Sequence, residues 1–475
     1  MTGSEMFKNS IDQYIDDHEE EMIQDIKELI RIDSVKGEAK VGMPFGEKPA
    51  QVLSCAKEML ERYGFSSRNY DNYVITADMN QKETGLDILA HLDVVPADGA
   101  WTITAPFSPL VKEDRLYGRG AADDKGPAAA AIYAMRAIKE LEIPLSKNVR
   151  LILGSDEESG SDDIAYYYKK EKAAPMTVSP DADFPLVNIE KGILHGEFRA
   201  KYEKPDKDGS IDLITSGNGI NVVPDKARAI VRNIEIDKLR AVSRQVEKDT
   251  GICFSVNATN KEPKGICIEA QGTACHAANP EVGNNALTGL LKLLSNEIFE
   301  GVSGYDMICI LHKYFPHNCW DGEALGINMS DELSGDLNIS LTLMTYKEQE
   351  LYAGFDCRAP LCATNENLRD KIMHNLQRYG LIMEKRDIYA PHYVPEDSEF
   401  VQTLLKCYEM YSGKKEKPLA IGGGTYVHAI ENGVAFGCAD PMVDNHMHGP
   451  NEFIDLKQLT MSAKIYAQTI LQLCR

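Results

Sequence analysis

The stretch YGRGAADDKGPAAAAIYAM, Tyr117–Met135, places two adjacent carboxylates, Asp123 and Asp124, between glycines and an alanine-rich apolar run. The run predicts a helix from Pro127 to about Leu141, because proline in a first turn lacks only an N–H that the helix leaves unpaired anyway. One aspartate suffices as an N-cap; the second needs another use. On either side lie LDILAHLD (Leu86–Asp93) and NVRLILGSDEE (Asn148–Glu158), and MTVSPDADFP (Met176–Pro185) follows. Each reads as a short apolar strand running into a polar loop. Strands alternating with helices predict an α/β domain with a largely parallel sheet.

Working outward, apolar residues from Ile11 to Ile30 recur at helical spacing, and Gln51–Tyr63 forms a second amphipathic segment stopped by Gly64. After Glu190 the texture changes. HGEFRAKYEK, SIDLITSG, KARAIVRNIEI, ICFSVNATN, GICIEAQG and LNISLTLMTYKEQELYAGFDCRAP alternate polar and apolar residues, with helices over Ile236–Asp249 and Ala286–Asn296. This is an antiparallel α+β pattern. From Pro391 the first style returns, with helices over Ser398–Tyr411 and Leu456–Leu473 and a glycine-rich loop IGGGTYVHA between them. The expected architecture is a discontinuous α/β domain, residues 1–190 and 391–475, holding an inserted α+β domain at 191–390 made of two similar halves. A chain of 475 residues exceeds one simple core, which agrees with two domains.

The formal net charge of −22 argues against nucleic acid and anionic membrane surfaces as partners and suits cation binding. The 11 cysteines form no C-x-x-C pair, so free thiols in a reducing cytoplasm are expected. The acidic, amphipathic N-terminal stretch lacks the basic and apolar segments of a signal peptide, and no apolar run is long enough to predict a transmembrane helix.

In an open parallel sheet the loops after the strands gather at one edge. Here they carry His91, Asp93, Asp123, Asp124, Glu157, Glu158, Asp181 and Asp183, and NHMHGPNE near the C-terminus adds His446 and His448. Singly, each has an ordinary reading: a strand-end histidine, a helix cap, a solvated acidic turn. Together they would repel and raise one another's pKa unless cations compensated them. Two histidines with several carboxylates suit zinc, or manganese or cobalt in the same ligand set. A shared carboxylate would let two ions sit about 3.5–4 Å apart, as in hydrolytic two-metal sites.

The series HLDVVP, YGRGAADDKGP, GSDEESG, SPDADFP, GTACHAANPEVGNNA and HGPNE resembles that of the dinuclear zinc aminoacylase, carboxypeptidase and carnosinase superfamily, and within it the bacterial PepV-like dipeptidases. The resemblance covers nearly the whole chain. It implies His91, Asp123 and Asp181 on one ion, and Asp123, Glu158 and His448 on the other. Asp93 would orient the His91 imidazole, and the Asp123–Asp124 peptide bond would be cis. Glu157 would be the general base for a water held between the ions, returning the proton to the leaving amine. His276 would reach the developing oxyanion. Asn221 and Arg358 would hold the substrate's end, Arg358 as a planar fork for a carboxylate, although a salt bridge is an equal reading of that arginine. Gly424 and Thr425 lie in a loop whose backbone would approach substrate; no Walker lysine follows it, so a nucleotide site is not indicated. His446 reads as a neighbour, not a ligand. The implied activity is hydrolysis of unblocked dipeptides, with an N-acyl amino acid deacylase, a longer-reach exopeptidase, or a catalytically silent peptide- or metal-binding relative as alternatives. The insert exceeds the lid of dimeric relatives, which implies a monomer whose single chain completes the site.

Overall fold

A computed structural model describes residues 5–202, 209–259 and 264–475. It divides into two compact units, one of residues 1–189, 392–419 and 424–475, the other of residues 190–391 and 420–423. Glu203, Lys204 and Asn260, placed at strand ends by the sequence pattern, lie outside the described residues.

The first unit is built on a mixed sheet. Its strands lie in the order Ser66–Tyr70, Val74–Asp78, Asn148–Gly154, Thr84–His91, Met176–Ser179, Gly433–Ala435, Val187–Glu190 and His392–Tyr393. The four central strands, from Asn148–Gly154 to Gly433–Ala435, are parallel. Antiparallel pairs flank them on both sides. The sequence pattern locates three of the four, because strands covered on both faces read as continuous apolar runs; the three-residue strand Gly433–Ala435 is too short to give that signal. The outermost strand, SSRNY, is largely exposed and carries no such signal.

The alanine-rich helix spans Lys125–Glu140, and every residue from Lys125 to Ile138 is buried. It packs against the C-terminal helix Leu456–Cys474, both N-terminal helices and the strand Thr84–His91. A helix that is apolar nearly all round is buried, here with only Lys125 and Arg136 as charged members of the buried stretch, and its alanines let these neighbours approach closely. The helix starts two residues before Pro127. Asp124 stands at the N-cap position, yet its side chain makes no capping bond.

Two helix boundaries differ from the periodicity. The N-terminal run is two helices, Glu5–Asp17 and Glu19–Ile30, broken at His18. The His18 Nδ1 lies 2.7 Å from the Tyr14 carbonyl and competes with the backbone for it. The next helix begins at Glu47, before the expected Gln51. Pro49 falls in its first turn, where the missing N–H costs nothing.

The second unit is an antiparallel sheet of eight strands in the order Cys253–Thr259, Gly265–Gln271, Lys226–Arg232, Ser210–Ser216, Asn338–Lys347, Glu350–Ala359, Gly192–Lys201 and Ile382–Met383. Helices Ile236–Thr250 and Ala286–Leu294 pack on it or on one another. The long hairpin turns at Glu348 and Gln349, both with positive φ. Neither is the Asn-Gly pair that usually marks such a turn, so the sequence does not mark where the run reverses. Among the described residues no helix is long and apolar enough to cross a membrane.

Candidate metal centre and catalytic residues

The parallel strands of the first unit deliver the site at their carboxyl ends. His91 is the last residue of its strand, Asp123 lies in the turn before the buried helix, Glu157 and Glu158 open a short helical turn beyond Gly154, and Asp181 follows Ser179. His448 comes from the loop before Phe453–Asp455. The Asp123 carboxylate stands between the two histidines: its Oδ1 is 2.9 Å from His91 Nε2 and its Oδ2 is 2.8 Å from His448 Nε2. His91 Nε2 is also 3.7 Å from Asp181, and His448 Nε2 is 3.2 Å from Glu158. Ligating atoms fall within 4.8 Å of one another in two groups, His91 with Asp123 and Glu158, and His91 with Glu157 and Asp181.

Several partners hold this arrangement. Asp93 accepts the Glu157 N–H on Oδ1 (3.2 Å) and the Glu158 N–H on Oδ2 (3.1 Å). His91 Nδ1 is 3.1 Å from the Asp93 carbonyl and 3.5 Å from its carboxylate. Asp93 thus ties the glutamate turn to the histidine. The Asp123–Asp124 peptide bond is cis. Asp124 answers the question its charge raises: its Oδ2 accepts the His91 backbone N–H at 3.1 Å, which fastens the strand end to the helix start.

The sequence reading missed four supports. Glu452 is buried, and its Oε1 accepts N–H bonds from Gly120, Ala122 and Asp123. Its Oε2 pairs with buried Arg119 at 2.6 Å, and Arg119 in turn donates to the His448 carbonyl at 3.1 Å. This pair therefore locks together the two loops that carry Asp123 and His448. Asp163 accepts N–H bonds from Ser155 and Asp156 and the hydroxyl of Tyr426, whose ring meets His91 edge-on at 6.1 Å. The signal for Glu452 was present in the quoted HGPNE motif; Arg119 and Asp163 look like ordinary loop charges in sequence. Tyr426 shows what the glycine-rich loop delivers to this unit. Gly424 is exposed, and Thr425 caps the short helix Tyr426–Ala429.

Two named residues stand apart from the cluster. Asp183 pairs through its strand with Ala439 and is pushed up by burial and then by Asp440. His446 packs its ring beside Phe453 at 6.2 Å.

The donor set fits divalent cations. His91 is fully buried, and its Nε2 has no hydrogen-bond partner despite the nearby Asp123 oxygen. An imidazole nitrogen held against carboxylate oxygens from two segments is an arrangement in which a cation could replace the proton. Burial, and then the Asp181 charge, push Glu157 well above the usual carboxylate range. Burial and then Asp123 push Asp181 up to about 7. At His448 burial opposes protonation, but Asp123 and Glu158 overcome it and raise the imidazole to about 11. Such crowding without cations is the signature of a site completed by positive charge.

In the second unit His276, Asn221 and Arg358 gather around one turn. Val222 pairs with His276 across a short ladder, and Ala277 N–H bonds the Asn221 carbonyl at 2.8 Å. Asn338 reaches the Ala278 carbonyl at 2.7 Å, and Asn338 is the cross-strand partner of Arg358. His276 and Asn221 are exposed, whereas Arg358 is buried and bonded to Asp356 and to the Gly422 carbonyl.

Comparison with known proteins agrees with the class that this fold and site define. The pattern of peptidase family M20/M25/M40 matches residues 88–472. The chain belongs to that family and is a peptide-bond hydrolase. It is 33% identical over 461 residues to "Putative dipeptidase YtjP" of Bacillus subtilis (strain 168), covering 96% of this chain and 98% of that one. "Putative dipeptidase SAB1611c" of Staphylococcus aureus (strain bovine RF122 / ET3-1) is 31% identical over 478 residues, with 99% of each chain covered. Among solved structures, human carnosine dipeptidase 1 shares the fold at TM-score 0.61 and 17% identity, with 98% of both chains covered. Dug1p from Saccharomyces cerevisiae does so at TM-score 0.57 and 16% identity, again over 98% of both.

Proposed function

We propose that the protein hydrolyses the peptide bond of unblocked dipeptides, with Glu157 as general base. The observation that carries this reading is the Asp123 carboxylate, whose two oxygens face His91 and His448 with Glu157 and Glu158 alongside. His91, Asp123 and Asp181 would hold one divalent ion, and Asp123, Glu158 and His448 a second. When bound, such ions polarise a carbonyl and make water acidic near neutral pH. Zinc suits the set best, with manganese and cobalt accepted by the same ligands.

The chain's own residues do the rest. A Glu157 carboxylate oxygen takes a proton from water and passes it to the nitrogen of the leaving amine. Asp93 keeps the Glu157 backbone and the His91 ring in one frame. His276 donates to the developing oxyanion. Asn221 and Arg358 hold the substrate's far end, and the backbone at Gly424 and Thr425 approaches it. The protein acts as a monomer, a reading that rests on the size of the insert, in a reducing cytoplasm, a reading supported by its 11 cysteines, all of them free thiols.

The test compares a dipeptide, a tripeptide and an N-acetyl amino acid after chelation and reloading with each ion. The dipeptide is expected to be preferred, and preference for the acetylated compound would sink the dipeptidase assignment. Glu157→Ala should lower kcat by roughly a thousandfold or more while bound metal stays within a factor of two of the parent. Full turnover in that variant refutes the base assignment. Sedimentation that ties activity to a dimer refutes the monomer.

A further inference from the structure

Arg358 in the second unit is more constrained than a substrate-binding arginine needs to be. A guanidinium has five N–H donors in one plane. The Arg358 Nε donates to Asp356 Oδ1 at 2.7 Å, Nη2 donates to Asp356 Oδ2 at 2.8 Å, and Nη1 donates to the Gly422 carbonyl at 2.7 Å. Three donors are engaged, and one N–H on each terminal nitrogen remains. Two parallel donors on the terminal nitrogens form the fork that matches a carboxylate.

Asp356 determines where that fork points. Asp356 and Arg358 are two residues apart on one strand and so share a face. The Asp356 side chain is wholly buried, and its Oδ2 also lies 2.9 Å from His195 Nε2. His195 sits directly opposite Asp356 on the neighbouring antiparallel strand, with its side chain 36% exposed. His195, Asp356, Arg358 and the Gly422 carbonyl therefore form a continuous row of bonds. Gly422 itself approaches the loop that follows His276: a Cβ there would lie 3.0 Å from the Ala278 Cβ.

We propose that Asp356 and His195 are positioning residues for recognition of the substrate's terminal carboxylate, acting only through Arg358. The proposal rests on the reading that Arg358 binds that carboxylate. Asp356 fixes the plane of the guanidinium along its Nε–Nη2 edge, the Gly422 carbonyl takes one Nη1 donor, and one N–H on each terminal nitrogen is left for the carboxylate. His195 braces Asp356 from the far side. A pair that only stabilised the fold would affect all substrates alike, so the discriminating quantity is a ratio between two substrates.

The experiment measures KM and kcat, or Ki as a competitor, for a dipeptide and for its C-terminal amide. It uses the full-length, metal-loaded protein and the variants Arg358→Met, Asp356→Asn and His195→Gln. Arg358→Met is expected to raise the dipeptide KM roughly a hundredfold and to remove discrimination between acid and amide. Asp356→Asn should raise the dipeptide KM roughly tenfold, with kcat within about threefold and the amide nearly unchanged. His195→Gln, at a half-exposed position, should move the ratio the same way by about two- to threefold, and it decides the matter if Asp356→Asn does not fold. An unchanged ratio in Asp356→Asn and His195→Gln, with a changed one in Arg358→Met, overturns the proposal alone. An unchanged ratio in Arg358→Met overturns the carboxylate reading and the proposal with it.

Discussion

The two units treat buried carboxylates in opposite ways. In the first, Asp123, Glu157, Glu158 and Asp181 crowd together with two histidines as their nearest cationic groups. In the second, Asp356 is equally buried but fully paired, and His195 and Arg358 overcome the burial that would raise it, so that its carboxyl sits below the usual range. A carboxylate satisfied within the chain shapes its neighbours. Carboxylates left mutually repelling call for charge from outside. The first cluster has the donor set that cations would complete, and the second has the paired geometry proposed above for a brace.

The largest expected break in that comparison comes from Asp123. Asp123→Ala removes the group common to both proposed ion sites and should abolish turnover, by a thousandfold or more in order of magnitude. Bound metal after dialysis should fall below that of the parent. Asp356→Asn should leave metal content untouched. Equal metal retention in both variants would mean that Asp123 does not bridge.

Next comes the frame around the cluster. Glu452→Gln keeps an acceptor for the three loop N–H groups but removes the charge that pairs Arg119. Loss of such outer support costs about 10–100-fold in metal affinity. Titration of the chelated protein with zinc should show that weakening, and affinity within twofold of the parent would show the pair to be a fold support alone.

These residues also mark how far the sequence reading reaches. Ligand-type residues end strands that read as apolar runs, so the cluster follows from the alternation of strands and loops. His91, Glu157, Glu158 and Asp181 are legible as candidates for that reason, whereas Asp123 and His448 are picked out, and all six given their roles, by the resemblance of the surrounding motifs. Asp124 is legible as an anomaly but not as the partner of the His91 N–H, because that bond depends on where the next strand lies. Arg119 and Glu452 are separated by 333 positions, and nothing local pairs them. Asp356 sits two positions before Arg358 in the same strand, but its other partner, His195, is 161 positions away, and nothing local marks the aspartate as a brace. The break at His18 was hidden by apolar spacing that continues across it.

A smaller effect separates the two kinds of carboxylate by pH. Asp181, raised to about 7 by burial and then by Asp123, keeps a proton in the folded chain that the unfolded chain, at about 3.8, has released. The folded state then binds more protons between those values, so stability falls as pH rises from about 4 to about 7. Asp356, lowered from 3.8, gives the opposite slope: its contribution is present above the unfolded value and is lost only as pH falls below it. Metal-stripped protein should therefore lose Tm between pH 5 and pH 7.5, and loaded protein should not. A chelated Tm that holds or rises across that interval would contradict the crowding.

The smallest effect tests whether the glycine-rich loop matters through Tyr426. Its hydroxyl donates to Asp163, which also takes two backbone N–H bonds at the end of the strand that leads to Glu157. Tyr426→Phe removes one of four donors to a buried carboxylate, the others being the N–H groups of Ser155, Asp156 and Ile164, while the ring stays edge-on to His91. A lost hydrogen bond to a charged group costs about 1.5–3 kcal/mol. Burial already pushes Asp163 up to about 7, so part of that cost is relieved by protonation and the lower end applies. Stability should fall by about 1–2 kcal/mol, with kcat reduced less than about tenfold because Glu157 remains anchored through Asp93. A collapse of kcat as deep as that of Glu157→Ala would instead place the Tyr426 hydroxyl in the chemistry, and the first unit would then hold a catalytic group that its ligand cluster does not reveal.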